Sequence, residues 1–97
     1  MYRPRVLPLF LLLAACASPS PEFFGANRAE VTVDGRAFTV LRRESRVQVI
    51  RHGYASPRDR RAIPEQMLRA VEDATGCRAV IDSFQGDSGE RRGRIAC

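Results

Sequence analysis

Three cysteines, one histidine and one glycine-framed serine are the side chains that could do chemistry in this 97-residue chain. Cys16 closes the run Leu13-Ala14-Ala15-Cys16, Cys77 follows Gly76, and Cys97 lies twenty positions further on. A thiol can be acylated, oxidised to a disulfide or given to a metal. His52 is the only histidine, and no spacing of cysteines and acids around it makes a ligand set, so neither metal nor cofactor is expected. Ser88 stands in Gly86-Asp87-Ser88-Gly89, a composition that also suits a hairpin loop.

The segment before Cys16 has three parts. Arg3 and Arg5 make a basic start, Val6 to Leu13 is apolar apart from Pro8, and Ala14-Ala15 supply small residues beside a scissile bond. The apolar stretch is far short of the ~20 residues that span a bilayer. This arrangement resembles the lipobox of bacterial lipoprotein signal peptides. The resemblance implies that residues 1–15 are removed and that Cys16 becomes the N-terminus. It would carry a thioether-linked diacylglycerol and an N-acyl chain such as palmitate. More than one chain is what stable anchoring needs. Ala17 lacks the acidic character of inner-membrane retention signals, which points to the outer membrane, facing the periplasm.

Removal of residues 1–15 leaves one small domain. All 16 basic residues are arginine, and losing Arg3 and Arg5 leaves an excess of three over the 11 acids. Such a surface suits anionic lipid headgroups or lipopolysaccharide, whereas nucleic acid is not an expected partner outside the cytoplasm. A core this small is marginal without a covalent staple.

Residues 16–28 read as a lipidated N-terminus and tether, because Ser18-Pro19-Ser20-Pro21 can neither pair in a sheet nor continue a helix. Phe23-Phe24 within it either pack on the domain, which spans 29–97, or sit at the lipid interface; packing is the expectation, because seven aromatics must supply much of a small core. Asp34-Gly35 between two alternating runs predicts a tight hairpin with Val33 opposite Arg36, Val31 opposite Phe38 and Ala29 opposite Val40. A third strand over 46–52 places Val49 beside Val40 and Val47 beside Arg42. Pro64 to Thr75 predicts a helix with Ile63, Met67, Leu68, Ala70, Val71 and Ala74 on one stripe and Gly76 as its stop. A second hairpin centred on Asp87 sets Ala79 opposite Ile95 and Cys77 opposite Cys97, within disulfide range. Export favours that bond. The predicted fold is α+β: a small antiparallel sheet, chain order βββ-α-ββ, with one helix packed on one face.

Two strings are similar to enzyme motifs. Gly86-Asp87-Ser88-Gly89 is similar to the nucleophile string of trypsin-like proteases, and Val49-Ile50-Arg51-His52-Gly53 to the opening of histidine phosphatases. The first family needs two barrels and a His–Asp pair, the second a further histidine in a larger parallel sheet. The expectation is therefore no enzyme, but a lipid-anchored envelope protein acting as a binding or assembly accessory. The alternative is a binder of small anions, lipopolysaccharide or lipid headgroups. The expected contact surface is Arg91, Arg92 and Arg94, with Arg58, Arg60 and Arg61 as candidates to join it.

Overall fold

Asp34 and Gly35 both take positive φ (51° and 78°) and reverse the chain between β1 (Asn27–Val33) and β2 (Arg36–Arg43). The computed structural model describes residues 19–97. The signal segment and Cys16 lie outside the described residues. The register across the first turn is the predicted one, Val33↔Arg36, Val31↔Phe38 and Ala29↔Val40. Glu44 at φ 55° helps turn the chain into β3 (Arg46–Arg51), where Val40↔Val49 and Arg42↔Val47 pair as the alternation requires.

A crossing segment with a 3-10 turn at Asp59–Arg61 leads to helix α1 (Ile63–Thr75), followed by β4 (Arg78–Gly86) and β5 (Glu90–Ala96). The described residues are α+β: one antiparallel five-stranded sheet and one α-helix. In space the strands run β1-β2-β3-β5-β4, so the last strand inserts between β3 and the outer β4. Pro64 sits in the first turn of α1, and Gly76 at φ 72° ends it by giving its N–H to Glu72 O (2.8 Å).

Alternation on every strand sends one set of side chains to the helix. Phe38, Val40, Val47, Val49 and Ile95 are buried there with Ile63, Met67, Ala70 and Val71 of α1. The other set faces away from the helix and forms the open face of the sheet. Cys77 and Cys97 are disulfide-bonded, with Cα atoms 4.5 Å apart. The bond closes the β4–β5 hairpin at its open end.

The predicted register of that hairpin holds only near the disulfide. Arg78↔Ala96, Ala79↔Ile95 and Val80↔Arg94 pair as expected, but the next pairs are Gln85↔Arg92 and Gly86↔Arg91. Four β4 residues, 81–84, thus face one β5 residue, Gly93. The extra residues make a bulge, plugged by Ser83: its hydroxyl donates to Val80 O (2.6 Å) and accepts the Arg94 N–H (2.8 Å). The bulge changes which face β4 offers. Ile81 is exposed, whereas Phe84 turns into the core. A Cβ at position 93 would lie 2.6 Å from the Phe84 ring, so only glycine leaves room for it. The turn also moves: Asp87 N–H bonds Glu90 O (2.9 Å), so Ser88-Gly89 are its tip and its centre is not Asp87.

Candidate anion-binding face

The segment Ser20–Phe24 lies in the predicted tether, yet it crosses the open face as a strap. A 3-10 turn over Pro21–Phe23 drives the Phe23 ring down until it is 1% exposed, while Phe24 stays 60% exposed. The Ser20 N–H donates to Gln48 Oε1 (3.0 Å), and Gln48 Nε2 donates to Ser20 Oγ (3.2 Å) and Glu90 Oε2 (2.8 Å). Gln48 is thereby buried with its amide satisfied. Arg43 Nε donates to Glu22 O (3.1 Å), and its Nη2 donates to Phe24 O. The folded body therefore reaches back at least to Ser20, ahead of residue 29.

Beside the strap runs a row of like charges. Arg43 pairs with Arg46 across β2 and β3, and Arg46 pairs with Arg94 across β3 and β5. Opposed residues share a face, so three guanidinium groups stand side by side across neighbouring strands, an arrangement that opposes folding. The next row adds Arg92, opposite Gln48. Relief is partial. Glu22 of the strap lies 3.2 Å from Arg46, and Glu90 lies 2.9 Å from Arg92. Arg94 has no ion pair among the described residues. Arg46, Arg92, Ser83 and Gln85 line a cleft of about 220 Å³ on this face. Its rim offers guanidinium and amide donors, groups that recognise phosphate or carboxylate oxygens.

The predicted trio is split by strand alternation. Arg92 and Arg94 are on the open face. Arg91 points to the other side, where its guanidinium donates to Phe84 O (3.3 Å) and Gly86 O (3.5 Å). Arg60 belongs to the 3-10 turn before α1 and donates to Ala55 O (3.1 Å), so it does not join Arg92 and Arg94. Arg43 and Arg46, absent from the predicted surface, are part of the observed one. Their signal in the sequence is the pair of arginines flanking Glu44-Ser45, because hairpin partners must share a face.

No protein-family model, curated protein or solved structure matches this chain. The chemistry must therefore be judged from its own side chains. Thr39 is buried at the other end of the open face, with Oγ1 2.7 Å from Glu30 Oε1 and 2.6 Å from His52 Nε2. A hydroxyl has one proton. The Thr39 bond, then Arg28, holds the Glu30 carboxyl below its usual range, so Glu30 is the acceptor and Thr39 the donor. His52 Nε2 must then donate to Thr39. In this chain of bonds His52 takes no proton from the hydroxyl, and Thr39 is not an activated nucleophile. Asp87 is likewise engaged: Oδ1 accepts the N–H groups of Gly89 (2.8 Å) and Glu90 (3.0 Å), which hold its carboxyl low. Ser88 at the tip gains no base from it. No group of three or more potential metal ligands occurs among the described residues.

Proposed function

We propose that this chain is a lipid-anchored envelope protein, held through Cys16 in the outer membrane and facing the periplasm. Its folded part works by binding, as an assembly accessory without catalysis. The anchor rests on Leu13-Ala14-Ala15-Cys16, and the Cys77–Cys97 bond is in keeping with an oxidising compartment. The observation that carries the binding reading is the row Arg43–Arg46–Arg94 beside the cleft. A face that juxtaposes like charges gains from an anionic partner what it loses in isolation. The alternative of a small-anion, lipopolysaccharide or headgroup binder uses the same residues.

Two measurements test the proposal. Intact-mass analysis of protein extracted from the envelope should show an acylated chain beginning at Cys16, and Cys16→Ser should yield soluble or uncleaved protein. On a phosphate-bearing cation exchanger, replacing Arg92 and Arg94 with Ser should weaken retention more than replacing Arg91 and Arg60. Unacylated mass with unchanged partition in Cys16→Ser would refute the anchor. Equal loss of retention in both double variants would refute the face.

A further inference from the structure

We infer that the open face lies directly against the anionic headgroups of the membrane that holds the anchor, so that strap and arginine row form a membrane-apposed surface. This rests on the acylation of Cys16 proposed above. The reach of the chain is the first argument. The strap is fastened from Ser20 onward, by its N–H and Oγ to Gln48 and by Oγ to Arg92 Nη1 (3.5 Å). Only Ala17, Ser18 and Pro19 separate it from Cys16. Four residue steps span at most about 14 Å even when fully extended. A domain on so short a leash cannot hold the face carrying its own leash far from the bilayer.

Charge is the second argument. The basic residues around the point where the strap enters are Arg46, paired with Glu22, and Arg92, paired with Glu90; Arg94, opposite Arg46, has no ion pair among the described residues. Juxtamembrane arginines are attracted to anionic headgroups. The third argument is Phe24. Its neighbour Phe23 is buried and fixes the strap, while Phe24 is left exposed at the strap's end, beside Arg43. An exposed aromatic next to arginine suits the boundary between headgroups and acyl chains. The opposite face of the sheet is covered by α1 and carries no short tether to Cys16. Tyr54, the other strongly exposed aromatic among the described residues, adjoins Arg36 at the far end of β2 from Arg43.

The chain contains no tryptophan, so single Trp reporters can read this orientation. Phe24→Trp and Tyr54→Trp replace exposed rings and leave the core alone. Each full mature acylated protein is reconstituted in phosphatidylethanolamine vesicles containing phosphatidylglycerol and brominated acyl chains. The expected result is strong quenching of Phe24→Trp and none of Tyr54→Trp, with quenching reduced in phosphatidylcholine vesicles. Adding Arg92→Ser and Arg94→Ser to Phe24→Trp should also reduce it. Protein that floats with the vesicles yet leaves Phe24→Trp unquenched, or quenches both reporters equally, overturns the orientation while the anchor stands. Such a face would then be open to an acidic protein. Quenching insensitive to lipid charge and to the two arginines overturns the electrostatic contact. Protein that does not float overturns the anchor, and the inference with it.

Discussion

The two faces of one sheet solve different problems. Toward α1, Phe38, Val40, Val47, Val49 and Ile95 meet Ile63, Met67 and Val71 in an apolar layer, edged by Arg36, Arg51 and Gln66, whose buried polar atoms lack a partner among the described residues. Toward the strap, buried positions are shared by the apolar Phe23 and Leu41 and the polar Thr39 and Gln48, and arginines oppose arginines. The helix side stabilises the fold by removing apolar area from water. The strap side keeps polar groups that are satisfied locally and charges that are not. Residues chosen for stability would not repeat Arg43, Arg46 and Arg94 across three adjacent strands. That row is the observation on which the proposed anion-binding surface rests.

The contrast is broken most severely from the helix side. Phe38 is fully buried, and Phe38→Ala should cost about 3–5 kcal/mol, comparable with the whole stability of a small domain. Circular dichroism in a urea titration should find it largely unfolded in water. Reduction of Cys77–Cys97 comes next. It reopens a loop of sequence separation 20 and should lower stability by about 3 kcal/mol, read as a fall in melting temperature under reducing conditions.

The strap should be a smaller, separable unit. Phe23→Ala should cost about 2 kcal/mol, since one ring is lost from a short segment that can detach alone. Hydrogen exchange should then speed up at the Ser20 N–H while the amides of α1 stay protected. Equal acceleration at both would mean that the strap is integral to the core. Acid should have the mildest effect. Glu30 and Asp87 both have folded carboxyls held below their ordinary values. Their contribution is complete above the ordinary carboxylate range, about pH 4, and is lost as pH falls through the depressed folded values. Stability measured downward from pH 5 should decline, and Asp87→Asn should flatten part of that decline.

Much of the helix-covered face was legible in the sequence. Asp34-Gly35 and the alternation around it agree on one register, and Pro64, Gly76 and the stripe between them agree on one helix. The cysteine pairing was legible because residues near 77 and 97 keep the simple register. What escaped depends on contacts distant in sequence. The bulge at 81–84 exists to bring Phe84 over Gly93; its trace was a glycine between arginines in a strand, which marks close approach without naming the visitor. The pairing of β3 with β5 sets Arg46 against Arg94, contrary to the charge preference that guides strand pairing. The strap hid in a Ser/Pro segment whose composition reads as tether, and only Phe23 hinted that it docks.

One measurement bears most directly on the division of labour between the faces. A chain starting at Ala17 keeps every described residue and lacks Cys16, the proposed anchor, so its binding reports the face alone. Melting temperature and sedimentation with phosphatidylglycerol vesicles at low and high salt are compared for this chain, for Arg92→Ser with Arg94→Ser, and for Arg91→Ser. The account expects salt-sensitive association that is lost in the double variant and kept in Arg91→Ser. It also expects the double variant's melting temperature to be unchanged or slightly raised, because an opposed pair of like charges is gone. Association that survives the loss of both arginines, or a melting temperature that drops as far as on disulfide reduction, would contradict it.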